Sequence, residues 1–186
     1  VIIISLFAIA AYKRNSVWEN VGTLWEDAAR KSPRNARAHT ALASYYEKKG
    51  LFEKAKAHAL EAVSLDPENI EAHFNLANVY RSTGIYDLAI RHYQAALYRA
   101  DDAFFLSSIS YKSHYSLGVA YTQTGQPELA ERHYKKAISL RPDFVNSYNN
   151  LGTLYLQRGL IDMAIGQYEK ALQVDPSYAW AHYNLG

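Results

Sequence analysis

Apolar positions recur along this chain with helical spacing, in two stretches joined by a glycine, and the pair of stretches then returns. Gly50, Gly84, Gly125 and Gly159 are separated by 34, 41 and 34 residues. Around them HTALASYYEKKGLFEKAKAHALEAVSLDP is echoed by HFNLANVYRSTGIYDLAIRHYQAAL, HYSLGVAYTQTGQPELAERHYKKAISLRP and YNNLGTLYLQRGLIDMAIGQYEKALQVDP. A fifth copy begins with HYNLG. A period of this length, built from two helical stretches, predicts helix–turn–helix units that stack on one another, because a single unit cannot bury its apolar face alone.

Numbering the repeats from Ala36, Ile70, Tyr111, Val145 and Ala179 shows which positions are restricted. Position 7 is always Leu (Leu42, Leu76, Leu117, Leu151, Leu185), and position 8 is Ala or Gly (Ala43, Ala77, Gly118, Gly152, Gly186). Position 11 is Tyr (Tyr46, Tyr80, Tyr121, Tyr155). Position 20 is Ala (Ala55, Ala89, Ala130, Ala164), and so is position 27 (Ala62, Ala96, Ala137, Ala171). Pro67, Pro142 and Pro176 stand at position 32. Small residues at positions 8, 20 and 27 let two antiparallel helices approach closely, while Leu and Tyr fill the space between them. The glycine supplies a left-handed corner. An acid three residues on (Glu53, Asp87, Glu128, Asp162) suits the N-terminal dipole of the second helix.

This pattern resembles the tetratricopeptide repeat (TPR) family over nearly the whole chain. The resemblance implies an all-α fold, a right-handed TPR superhelical solenoid of antiparallel helix pairs. The expected organisation is an apolar helix over 1–14, a degenerate half-repeat over 15–35, and repeats at 36–69, 70–110, 111–144 and 145–178. A fifth repeat starts at 179–186. Seven extra residues fall within YRADDAFFLSSISYKS, near 101–110. Two helical turns are most simply absorbed by lengthening a helix, which predicts a start near Ala103 with Asp101 or Asp102 as cap. The Ala103–Phe104–Phe105 edge reads as packing on the neighbouring helix or as a docking point. Upstream, SVWENVGTLWEDAARKSP places Val21, Trp25 and Ala28 at positions 20, 24 and 27 of a second helix.

Composition narrows the function. The net charge is +2 with no Lys/Arg block, so nucleic-acid binding is not indicated. The absence of cysteine excludes disulfides, thiol catalysis and Cys-based zinc sites. The seven histidines occupy two repeat positions: His39, His73, His114 and His182 at position 4, His58, His92 and His133 at position 23. Equivalent residues of successive repeats are expected about 10–20 Å apart given the usual helix spacing, whereas one ion needs ligands about 2 Å away. They read as half-buried packing residues, and neither a metal nor another cofactor is expected. There is no P-loop, GxSxG or nucleotide fingerprint, so the segment is not expected to be an enzyme.

Binding is the function that the resemblance implies. In TPR proteins the first helices line a concave groove through positions 2, 5, 6, 9, 12 and 13. Position 6 carries Asn75, Asn150 and Asn184, with Ala41 and Ser116 in the other repeats; Asn78 and Asn149 lie at positions 9 and 5. Asparagine offers both a donor and an acceptor to a peptide backbone, and the set looks like the asparagine ladder of the O-linked N-acetylglucosamine transferase superhelix. The alternative is that asparagine simply tolerates a solvated groove. Arg37, Arg81 and Lys112 are groove-facing cations, but they do not complete the carboxylate clamp by which other TPR proteins hold chaperone tails. The expected partner is a protein or an extended peptide.

The opening VIIISLFAIAAYKRNSVW supports three readings: the tail of a membrane span, a soluble first helix, or a signal or filament-type anchor. Twelve helical residues cover about 18 Å, short of the ~30 Å hydrocarbon core. The stretch with Arg14, Asn15, Trp18, Leu24, Trp25, Lys31, Ser32 and Pro33 resembles the junction in transmembrane-and-TPR membrane proteins related to protein O-mannosyltransferases. That resemblance implies a membrane-associated chain with its TPRs in the periplasm or otherwise extracytoplasmic. Lys13 and Arg14 argue the other way under the positive-inside rule, which leaves the cytoplasm open. A second function class is a structural subunit that stacks head-to-tail through open solenoid ends into filaments.

Overall fold

The computed structural model describes residues 21–100 and 107–186. The expectations for residues 1–12, Lys13, Arg14, Asn15 and Trp18, and those for Asp101, Asp102 and the Ala103–Phe105 edge, lie outside the described residues. Among the described residues the structure is all-α, without strands. The chain divides into two compact units between Val79 and Tyr80.

The first unit holds α1 (Val21–Lys31), α2 (Ala36–Lys48), α3 (Phe52–Leu65) and the greater part of α4 (Ile70–Ser82). Asparagine starts both first helices: the Asn35 side chain accepts from the Ala38 N–H at 3.2 Å, and Asn69 from the Ala72 N–H at 2.9 Å. Each cap satisfies one of the donors that a helix start leaves free. The α2–α3 corner is Gly50, at φ 73°. Here the Leu51 N–H reaches back to the Tyr46 carbonyl at 2.9 Å and closes the helix end. Leu42, Tyr46, Ala55 and Val79 form the core, with Trp25, Ala29, Tyr45 and Phe52 packed against it. α1 therefore covers α2 as the second helix of a preceding repeat would, and the Tyr46 hydroxyl donates to Glu26.

The second unit begins with the last residues of α4 and continues through α5 (Tyr86–Ala100), α6 (Ser107–Gln123), α7 (Pro127–Leu140), α8 (Val145–Gln157), α9 (Ile161–Val174) and α10 (Ala179–Leu185). From α5 to α10 each helix packs on the next. Position 7 shows what that stacking does: Leu117 and Leu151 are both buried. Ala130, Ala137, Ala164 and Ala171 at positions 20 and 27 are at most 1% exposed, as close helix approach requires. α6 has 17 residues against 13 in α2, α4 and α8, and it starts four residues ahead of position 1 of its repeat. Gln94 donates to the Tyr121 hydroxyl at 3.1 Å, tying α5 to α6. Between α7 and α8, Glu131 accepts from the Tyr155 hydroxyl at 3.0 Å and from Arg158 at 2.8 Å. The Lys135 ammonium beside Glu131 is the main reason its carboxyl sits below the ordinary range.

Candidate functional site

The asparagines at position 6 have a common geometry. Asn75 donates its amide to the Thr40 carbonyl at 3.1 Å, Asn150 to the Tyr115 hydroxyl at 3.1 Å, and Asn184 to the Asn149 side-chain oxygen at 3.0 Å. Each acceptor belongs to position 5 of the preceding repeat. The position-6 amide is therefore a staple between successive first helices. Asn75 and Asn149 are buried at 6% and 8% exposure, which leaves them little surface for a ligand. Asn150 also accepts from Asn149 at 3.4 Å. Asn78 is half-buried on α4.

Of the three cations, Arg37 belongs to the first unit and Arg81 and Lys112 to the second. Arg37 is exposed on α2 and lines a recess of about 220 Å³ with Trp25, Thr40, Ala41, Asn69 and Glu71. Arg81 is half-buried and donates to the Tyr93 hydroxyl at 3.2 Å. Lys112 is exposed on α6, its ammonium 5.9 Å from the Tyr111 ring centroid.

What the second unit does assemble on its first-helix face is an uncharged recess of about 170 Å³ between α6 and α8. Val119 and Leu154 give it apolar surface, and Thr122, Thr153 and Tyr134 give it hydroxyls. The amides come from Gln123, Asn150 and Gln157. The threonine hydroxyls are already used: Thr122 donates to the Gly118 carbonyl at 2.9 Å and Thr153 to the Asn149 carbonyl at 3.1 Å. Burial pushes the Tyr134 hydroxyl up to about 12, so it stays protonated and neutral. Gln123 and Gln157, both at position 13, are exposed, and among the described residues nothing engages their amides. Sequence reasoning marked position 13 as groove-facing without singling out these two glutamines. Their equivalence one repeat apart was the available signal.

In repeats 1 and 3 the histidines at positions 4 and 23 meet across the helix pair. The Nδ1 atoms of His39 and His58 are 2.9 Å apart, and so are those of His114 and His133. This contact lies within a repeat, whereas the sequence reasoning weighed distances between repeats. Among the described residues no group of three or more His, Asp or Glu side chains gathers as a metal would require.

Comparison with known proteins agrees with this geometry. Profiles described as TPR repeat or tetratricopeptide repeat match residues 36–79, 69–143, 133–166 and 152–186. The chain belongs to the tetratricopeptide repeat family. MamA from Desulfovibrio magneticus RS-1 aligns with a TM-score of 0.75 at 18% identity, over 95% of this chain and 96% of that one. A thermophilic TPR protein of Thermus thermophilus aligns at 0.66 and 24% identity, over 97% and 92%. PilW, a widely conserved type IV pilus biogenesis factor, aligns at 0.75 and 20% identity, over 89% and 73%. At these identities the likeness establishes the shared TPR solenoid fold. No curated protein matches in sequence.

Proposed function

We propose that this TPR chain is a non-catalytic scaffold that holds an extended, uncharged peptide segment of a partner protein against its first-helix face. The observation that carries this reading is the neutral recess between α6 and α8, flanked by the unengaged amides of Gln123 and Gln157. An amide presents a donor and an acceptor together, as does each peptide unit, so two amides one repeat apart can grip a backbone while the recess receives one side chain. A buried charge there would meet no counter-ion and would be disfavoured. The test is selection of binders from a displayed library of random peptides. Enriched peptides are expected to be uncharged at the inserted position and to lose affinity on the order of tenfold when Gln123 and Gln157 are both changed to Ala, two net hydrogen bonds being involved. Enriched peptides that bind the double variant equally would contradict the reading.

The wider setting is the extracytoplasmic part of a membrane-bound, glycosyltransferase-like protein, supported by the junction residues Leu24, Trp25, Lys31, Ser32 and Pro33 at α1 and the turn after it. No helix among the described residues is long and apolar enough to cross a membrane, so the membrane link in this proposal rests on residues 1–12.

A second reading, head-to-tail self-association, draws on the exposed apolar surface of α9 and α10. Ile161, Met163, Ile165, Trp180, Tyr183 and Leu185 are all 39% exposed or more. If that face seats a second copy, light scattering reads a mass that grows with concentration, and Trp180→Ala with Ile165→Asp returns it to one chain. A constant single-chain mass up to high concentration dismisses this reading.

A further inference from the structure

The paired histidines have a consequence independent of any ligand. His39 Nε2 lies 2.9 Å from the Pro33 carbonyl oxygen, which can only accept, so Nε2 carries the proton. In neutral His39 the Nδ1 is then an acceptor, and His58 must donate its Nδ1–H across the 2.9 Å gap. The same Nδ1···Nδ1 contact joins His114 and His133, where one ring donates and the other accepts. A His–His hydrogen bond of this kind tolerates one added proton, taken up by the donor ring on its other nitrogen. A second proton places N–H against N–H and breaks the contact. We propose that the α2–α3 and α6–α7 helix pairs are proton-responsive joints, held closed by a neutral or singly protonated His–His bridge and loosened when both rings are charged.

The surroundings favour the neutral closed form. His58 is faced by His39 and the stacked Tyr46 of α2 and by Glu26 of α1, with Lys54 and Glu61 on its own helix. Burial, His39 and Lys54 disfavour its charge and outweigh the two carboxylates, so it is held below the ordinary range. His133 is faced by His114 and the stacked Tyr121 of α6, with Arg132 on its own helix. α8, also packed on α7, meets Glu131 through Tyr155 and Arg158. Burial, then His114 and Arg132, push His133 down to about 4. For a histidine whose folded value is depressed, the unfolded or opened form binds the extra proton. The closed pair is therefore fully favoured above pH 6.5, the ordinary value, and loses that advantage as pH falls from 6.5 towards about 4.

Repeat 4 is an internal control, because its positions 4 and 23 are Tyr148 and Gln167. Amide hydrogen exchange of the whole chain at pH 7 and pH 5, corrected for intrinsic rates, reads the joints directly. Opening of α6–α7 is expected to rise on the order of tenfold, with α2–α3 rising as well and α8–α9 little changed. His114→Tyr with His133→Gln, which copies the repeat 4 pair into repeat 3, should flatten the α6–α7 response. A rise shared equally by α8–α9, or none in α6–α7, overturns the proposal. Should the double variant fail to fold, the His133 ring signal in NMR decides the same question on the unaltered chain: titration below pH 5 supports the joint, and titration near 6.5 contradicts it.

Discussion

Gly152→Val is expected to destabilise the second unit by about 3 kcal/mol, measured by urea denaturation. Gly152 sits at position 8 of α8, fully enclosed, and an added Cβ would lie 2.6 Å from Cε1 of Tyr168. The Tyr168 ring is 1% exposed and hydrogen-bonds Thr153 at 3.2 Å, so it has little room to withdraw. A β-branched side chain compounds the clash because its χ1 cannot turn away within a helix. Gly118 repeats the arrangement against Tyr134, with the added atom 2.5 Å from Cε1, and Gly118→Val should behave alike. Gly152→Ala should be far milder. Its single methyl still displaces the ring, but it adds nothing beyond Cβ and recovers about 1 kcal/mol of helix propensity, and repeat 2 accommodates Ala77 with Tyr93 at the same two positions. Equal losses for Val and Ala would show that the Tyr168 ring does not yield even to the first methyl, so that the Cβ alone sets the requirement.

Ser113→Ala and Ser147→Ala are expected to raise stability by about 1 kcal/mol each. Both serines are completely buried at position 3, and among the described residues neither hydroxyl has a hydrogen-bond partner. A buried, unpaired hydroxyl keeps its desolvation cost without compensation. The other repeats carry Ala38, Ala72 and Ala181 here, all likewise fully buried, so the methyl group fits this position as it stands. The two sites belong to different repeats, and the double variant should gain close to the sum, about 2 kcal/mol. A loss of stability would mean that the hydroxyls serve a neighbour after all.

The helix pairs were legible because their requirements are local and repeated. The corner glycines Gly50, Gly84, Gly125 and Gly159 all adopt φ between 71° and 77°, as the spacing anticipated. The alanines at positions 20 and 27 are buried for the reason the pattern implied. Roles that depend on contact between positions were harder to read. Asparagine at position 6 looks alike in sequence whether it faces a peptide or a neighbour. Only the 35-residue offset of its acceptors Thr40, Tyr115 and Asn149 reveals the staple. The histidine bridges were overlooked for a similar reason. Distances between repeats argue against one shared ion, but positions 4 and 23 of one repeat sit opposite each other on antiparallel helices. The unengaged glutamines became distinct only when the threonines and Asn150 around them were seen to be occupied.

The central claim is that the first-helix face of the second unit, between α6 and α8, is where a peptide is held. Amide and side-chain NMR shifts, recorded as a library-selected uncharged peptide is added, test it most directly. The account predicts the largest shifts at Gln123, Gln157, Asn150 and Thr153, with the second helices α7 and α9 nearly silent apart from Tyr134. Shifts concentrated on α9 and α10, or spread over the second helices while the two glutamine side chains stay unmoved, would contradict it.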